Sequence, residues 1–595
     1  MLTYSQFSIL NNLRTNPSLS QRQLAELSHL SLGTINSTIK ELQSMELLNL
    51  DCCITKKGLT ALLPYKVDNA VIMAAGLSSR FAPISYEKPK GVLSVRGEVL
   101  IERQIRQLRE AGIDEIIVVV GYKKEEFFYL EDEFDVEIVI NNEYSKRNNN
   151  STIHKVINRL GNTYICSSDD YFTENPFEEY VFQSYYSAVY CEGPTSEWCI
   201  KTKGKNDLIV DATIGGENSW VMLGHAYWDR SFSKNFCRIL NDIYDKPETY
   251  DKLWEKIFIE NIKELPMVMR KYPSDVIWEF DNLDELRVFD PSFIDNIESH
   301  ILDNICTTLS CNRADIQNII PIKQGLTNLS FRFSIADDEY VYRHPGPGSD
   351  KITNRKAEAY AEEIVSEAGI DNTFIYEDPE TGWKISHYVS DFRNLDYHNW
   401  EDVELAMQLA RKLHSLDADC NYDFDIHQDT LNTLKLLNAS HRAEFKDFDE
   451  LFNNAELLND LAMQHCAKRV LCHNDFYPPN FLIKPNREVE LIDWEYAGMS
   501  DFASDIAVFI CCCEDYSYDD ALKIYELYFG RQLTSEELFH FVAFSCVVAF
   551  HWLIWAMYQD EYSEPVGELL YYFYRYTKMF SREAIKLAKA LNYID

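Results

Sequence analysis

One stretch constrains this chain more than any other: Leu471-Cys-His-Asn-Asp-Phe-Tyr-Pro-Pro-Asn-Phe-Leu482, followed by Leu491-Ile-Asp-Trp-Glu-Tyr496. Short apolar runs bracket polar residues, so Asp475 and Asn480 share one loop and Asp493 ends the next strand. A base, an amide and a metal carboxylate in this order suit phosphoryl transfer. Asp475 takes the proton of an acceptor hydroxyl, while Asn480 and Asp493 hold magnesium on the ATP phosphates. An Asp/Asn-rich turn between two strands is the plainer reading, but it explains neither the spacing nor the second metal ligand.

The rest of the chain must accommodate that site. Its 595 residues suffice for about three to four domains. No low-complexity or Gly/Ser/Pro-rich segment interrupts them, so a fully folded, multidomain α/β and α+β protein is expected. The net charge of -38 argues against bulk nucleic-acid binding, because a phosphate backbone would be repelled. A cationic substrate suits it, and so does an ordinary acidic surface. The N-terminus lacks the basic and apolar regions of a signal peptide. No run of 18 uninterrupted apolar residues occurs, so no membrane span is predicted. The 15 cysteines have no paired metal-ligand spacing, and Cys511, Cys512 and Cys513 read as buried free thiols. Together these features predict a cytoplasmic protein.

Residues 1–66 read as helix, helix, helix and wing. Tyr4 to Thr15 is one helix, Ser20 caps a second over Gln21 to Leu27, and Leu32 to Met45 is a third. Leu47 to Leu50 and Ile54 to Gly58 are expected as two wing strands. The segment resembles the winged helix-turn-helix domains of bacterial regulators. That resemblance implies DNA contacts from Ser31, Thr34, Asn36, Ser37 and Lys40. Six basic against four acidic residues give little phosphate neutralisation, so any DNA binding by residues 1–66 is weak. The alternative use is dimerisation or docking, which would make the protein a homodimer.

Residues 67–295 open on a buried strand, Ala70-Val-Ile-Met-Ala74, that runs into Ala75-Gly-Leu-Ser-Ser-Arg-Phe81 and then Glu87-Lys-Pro-Lys-Gly91. A glycine turn after a first strand brings backbone N–H groups close to phosphates, here at Ala75 and Gly76. Arg80 and Lys90 can neutralise a triphosphate as its pyrophosphate leaves. Strands alternating with helices argue for a doubly wound domain, with Asp169 at a strand's C-terminal end, where open sheets bind ligands. Glu279 and Asp281 alternate on an extended segment and face one side. Asp169 and Asp281 make a magnesium pair for nucleotidyl transfer.

The turn, SRF and KPK together resemble the sugar-phosphate and alcohol-phosphate nucleotidyltransferases, which usually carry a second glycine where Ser78 stands. AAGLSSRFAP, EKPKGVLSV, IERQIRQLREAGI, VGYKKEEF, SSDDYF and EFDNLDELRVFD narrow the resemblance to the bacterial CTP:phosphocholine cytidylyltransferases. It implies CTP as donor, phosphocholine near Trp198, Glu279 and Asp281, and metal on Asp169 and Asp281. A quaternary ammonium is well held by an aromatic face plus carboxylates. For Trp198 a core position is the alternative, and Asp170 is a candidate strand-end cap.

Residues 296–595 begin with a strand-turn-strand, Ile319 to Ser334, whose tip carries Gly325, Thr327 and Asn328 and can cover ATP phosphates. Arg343 stands where protein kinases carry a phosphate-binding lysine, and Glu358, on a helix from Arg355 to Ala368, can pair with it. A surface helix charge is the plainer reading of Glu358. Trp383 to Val389 is expected to link two lobes. Trp552 and Trp555, three apart on one helical face, form an aromatic box for trimethylammonium with Glu495 and Tyr496, or else two core tryptophans.

GLTN, YRHPG, HNDFYPPNFL, LIDWEYAG and HWLIWAM resemble the bacterial choline kinases over about residues 310–570. The resemblance implies a two-lobed kinase-like fold, Asp475 as base, Asn480 and Asp493 on magnesium, and Trp552 and Trp555 on choline. Asp505 resembles the carboxylate that braces the catalytic loop in this fold. The two resemblances imply a bifunctional enzyme that makes phosphocholine and then CDP-choline for decoration of a surface glycan or lipid. Three alternatives stand beside it. The same chemistry could act on ethanolamine or another amino alcohol. The chain could be a DNA-binding regulator whose enzyme-like domains sense a metabolite. It could also join an aminoglycoside phosphotransferase to the nucleotidyltransferase.

Overall fold

The structure is a computed structural model that describes every residue except 323–327, 347–353, 421, 439–441, 443–444 and 563–565. The backbone divides into two compact units: Met1–Thr307 with Asn312–Ala314, and Thr308–Cys311 with Asp315–Asp595.

The first unit starts with three helices, Tyr4–Thr15, Gln21–Leu27 and Leu32–Ser44, capped by the hydroxyls of Thr3, Ser20 and Ser31. The expected wing is reduced to one bridge, Leu48 to Ile54. Residues 56–62 form a helix instead of the second wing strand, because the Thr55 hydroxyl accepts from Gly58 N and starts a new turn. Gly58 is required there: a Cβ would lie 2.3 Å from the Leu47 carbonyl oxygen. Main-chain bonds from Val67 N to Glu179 O and from Val181 N to Tyr65 O, both 2.9 Å, join the helical segment to the rest of the unit. Phe7 and Tyr65 pack on Phe182, with the Tyr65 and Phe182 rings stacked at 5.6 Å.

The second part of this unit is a seven-stranded sheet. Glu137–Ile140, Ile116–Val120, Asn69–Ala74 and Thr163–Ser167 run parallel, as their nearly continuous apolar character predicts. The sheet then turns mixed. The long strands Tyr185–Lys203 and Leu208–Trp228 pair antiparallel, and Val268–Tyr272 lies parallel to the former at the edge. Ser78 has φ 49° and ψ 41°, a left-handed conformation that explains why a glycine is usual at this position.

The second unit has a sheet lobe and a helical lobe. The sheet has five strands in the order Gln317–Pro321, Asn328–Ile335, Asp338–Pro345, Lys384–His387 and Phe374–Glu377, accompanied by the helix Arg355–Glu367. The expected lobe link at 383–389 is therefore largely an inner strand: Ile385 is fully buried and Lys384–His387 pairs on both edges. The helical lobe packs Trp400–His414, Phe448–Gln464, Ser504–Cys511, Tyr518–Phe529, Ser535–Tyr562 and Leu569–Ala590 around one large apolar core. Ser535–Asp560 is long and apolar enough to cross a membrane, but 83% of its most apolar window is buried inside this lobe. It packs as the lobe's central core helix.

Candidate active sites

In the first unit a cleft of about 720 Å³ opens at the C-terminal ends of the parallel strands. Ala75, Gly76, Arg80, Lys90, Asp169, Glu279 and Asp281 all line it. Lys90 is only 7% exposed, and its Nζ lies 2.7 Å from Asp169 Oδ2. Burial opposes its charge, but Asp169, Glu279 and Asp281 outweigh that and hold its pKa above the ordinary value. Gly91 allows the approach, since a Cβ there would lie 2.8 Å from Ser168 Oγ. On the other wall Arg80 Nη2 meets Asp281 Oδ1 at 3.0 Å.

Glu279 stands between these pairs. Burial, and then the nearby Asp169, raise its pKa well above the carboxylate range. Asp170 is fully buried with both side-chain oxygens unpartnered, so burial likewise drives it toward the neutral acid. A strand-end cap would show a partner there. Asp169 and Asp281 line the same cleft and offer hard carboxylate oxygens, a donor pair that fits magnesium. Trp198 is not brought to this cleft. It is half-buried against the apolar cluster beneath the long hairpin, as is Trp220.

In the second unit Asn480 Nδ2 donates to both the main-chain oxygen and Oδ2 of Asp475, each at 2.9 Å. Burial, then the Asp493 charge, push the Asp475 carboxyl up to about 7. The loop is braced from behind. Asp505 is fully buried and accepts from His473 N at 3.0 Å, Asn474 N at 2.7 Å and His414 Nε2 at 3.0 Å. His473 Nε2 donates to Ile492 O at 3.0 Å and ties the loop to the strand end carrying Asp493. Asp493 takes a left-handed φ of 71° at that end. Asn480 and Asp493 offer hard oxygen atoms, which again suit magnesium.

Arg343 and Glu358 form a buried ion pair, so Glu358 is no surface charge. Arg343 also reaches Glu377 at 3.1 Å and Asp493 at 3.8 Å. Asn328 Nδ2 donates to Glu495 Oε2 at 3.2 Å, which puts Glu495 beside a predicted nucleotide residue. Gly325 and Thr327 lie outside the described residues. Trp552 and Trp555 meet edge to face at 5.5 Å, both half-buried. Trp552 and Cys512 pack against the same two apolar clusters, and the Asp475 carboxylate is a charge neighbour of Cys512.

Residues 319–541 match the choline/ethanolamine kinase family model, 70–179 the MobA-like NTP transferase domain and 2–48 the winged helix-turn-helix DNA-binding model. Choline-phosphate cytidylyltransferase of Streptococcus pneumoniae is 32% identical over 218 residues, 37% of this chain and 95% of the relative. The chain belongs to the choline-phosphate cytidylyltransferase family. It joins that enzyme to a choline/ethanolamine kinase domain and a winged helix. A 2-aminoethylphosphonate cytidylyltransferase of Lancefieldella rimae is 34% identical over 232 residues, 38% of this chain and 93% of the relative. The crystal structure of choline kinase LicA from Streptococcus pneumoniae is 20% identical, covers 47% of this chain and 98% of that one, and has a TM-score of 0.40.

The sequence reading missed several residues. Beside the cytidylyltransferase cleft, Glu197 has Asp281 and Arg80 as charge neighbours, and burial raises its pKa. Its signal was present, because it precedes Trp198 on one strand and neighbours on a strand face opposite ways. In the kinase domain Arg355, Lys384 and Glu377 join Arg343, Glu358 and Glu362 in one buried charge network. Buried charges must be paired, which draws these side chains together, and burial pushes Glu377 up to about 10, so that it joins the network as the neutral acid.

Proposed function

We propose that the chain performs two consecutive steps on one amino alcohol. The kinase domain, residues 296–595, would phosphorylate choline with ATP. The cytidylyltransferase domain, residues 67–295, would transfer CMP from CTP to the phosphocholine, releasing pyrophosphate. The observation that supports this most is that both halves of one chain have relatives named for choline or its phosphate.

In the first step Asp475, held by Asn480, accepts the hydroxyl proton of choline as the oxygen attacks the γ-phosphorus of ATP, whose bond to the β–γ bridging oxygen breaks and releases ADP. Arg343, with Asn328 and the predicted turn residues Gly325 and Thr327, orients the nucleotide, and Glu358 fixes Arg343. Trp552 and Trp555 present ring faces to the trimethylammonium, with Glu495 adding charge. In the second step the Ala75–Gly76 turn receives CTP phosphates, and Lys90 and Arg80 neutralise the leaving pyrophosphate. Glu279 and Asp281 attract the ammonium of phosphocholine. Asp169 with Asp281, and Asn480 with Asp493, would hold magnesium, which supplies charge neutralisation on the phosphates when bound.

Phosphorus NMR with magnesium, ATP, CTP and choline tests the order: phosphocholine must appear first and CDP-choline after it. Turnover with ethanolamine alone would replace the substrate and keep the chemistry. A second acceptor has its own support in the relative named for 2-aminoethylphosphonate. That acceptor already carries phosphorus, so CTP consumption without ATP in its presence would favour it. CDP-choline would go on to a transferase that decorates a surface glycan or lipid. Free cysteines and nucleotide substrates fit the cytoplasm. The exposed Ser31, Asn36, Ser37 and Lys40 are the groups available for weak DNA contact, which gel shift at moderate salt would detect.

A further inference from the structure

A chain of polar contacts runs through the kinase domain and connects residues far apart in sequence. Glu358 takes Arg343 on one oxygen and Arg355 on the other, with Arg355 Nη1 at 2.8 Å. Arg355 Nη2 donates to Asn328 Oδ1 at 3.2 Å. Asn328 in turn donates to Glu495, two residues beyond Asp493. Arg355 therefore ties the helix that fixes Arg343 to the strand that begins at Asn328. Its side chain is 7% exposed, and its Nε is buried without a partner. The fold leaves room for it: a Cβ on Gly382, which has φ 75°, would lie 2.5 Å from Arg355 Cδ. A guanidinium can hold two partners at once with separate nitrogens, whereas a lysine of similar reach offers a single ammonium.

We infer that Arg355 is a positioning residue for the nucleotide, setting Asn328 against Glu358 and Glu495 so that the ATP phosphates meet a preformed wall. The inference rests on the kinase reading of this domain. It concerns ATP and not the alcohol, because every partner of Arg355 belongs to the nucleotide side.

The test is a double-mutant cycle in the full chain, reading KM for MgATP, KM for choline and direct binding of a non-hydrolysable ATP analogue. Loss of a charge-assisted bond predicts that Arg355→Met raises KM for MgATP about tenfold and leaves KM for choline unchanged. Asn328→Ala should give a similar rise, and the double variant should be no worse than the larger single one. Arg355→Lys should resemble Arg355→Met, because it cannot span both partners. Additive effects, or an equal rise in KM for choline, would overturn the inference. If Arg355→Met fails to fold, the half-buried Asn328→Ala decides alone, and an unchanged KM for MgATP would sink the proposal. Wild-type protein that binds no ATP analogue would overturn the kinase reading and this inference with it. Wild-type binding that Arg355→Met and Asn328→Ala both retain in full would overturn the inference only.

Discussion

The two clefts prepare their charges in opposite ways. In the cytidylyltransferase cleft the two candidate metal carboxylates each hold a cation, Lys90 on Asp169 and Arg80 on Asp281. In the kinase cleft the base Asp475 has a neutral amide partner, Asn480, and burial with a neighbouring carboxylate raises its pKa. The first cleft keeps its positive charge in place with carboxylates, as the proposed departure of pyrophosphate would require. The second keeps a proton acceptor near neutrality, ready for an alcohol. Both proposed reactions attack a phosphorus and expel a phosphate group, but the kinase acceptor is an alcohol that must lose a proton, whereas phosphocholine is already an anion.

The largest expected effect separates the sites outright. Asp475→Asn should lower choline phosphorylation by roughly 10³-fold or more while CDP-choline formation from added phosphocholine stays intact. Loss of both reactions would show that the clefts are not independent. Lys90→Met should lower cytidylyl transfer on the order of 10²-fold, with the kinase step unaffected in the same assay.

A pH series sharpens the contrast. Asp475 works as the carboxylate, and its raised pKa means that the ionised form is lost as pH falls through about 7. The kcat/KM for choline should then drop about tenfold per pH unit below that point. Added magnesium, by offsetting the Asp493 charge, should move this limb to lower pH. Lys90, held protonated by its carboxylates, should contribute no limb near neutrality to cytidylyl transfer. A similar acid limb in both reactions would remove the distinction. The smallest effect concerns Ser78: glycine there relieves a left-handed conformation and should stabilise the first unit by at most about 1 kcal/mol in a thermal melt.

What the sequence displayed depended on how far apart the cooperating residues lie. Asp475, Asn480 and Asp493 fall within 19 consecutive residues, so their spacing alone encodes the site. The strand, turn and Lys90 segment of the other cleft is nearly as local. The long hairpin of Tyr185–Trp228 was not legible, because its exposed outer half mixes polar and apolar residues without a steady alternation. The second wing strand failed because a threonine cap and a forced glycine outweigh a short apolar-polar pattern. Arg355, Lys384 and Glu377 were overlooked because buried charges look like surface charges until their partners are brought together by folding.

The pairing of residues 65–67 with 179–181, under the Tyr65–Phe182 stack, has a mechanical consequence. The helices keep an apolar cluster of their own, and it is completed by Tyr180 and Phe182 from the catalytic part of the chain. A truncation at residue 66 would strip those two rings of their cover and leave Phe182 facing water.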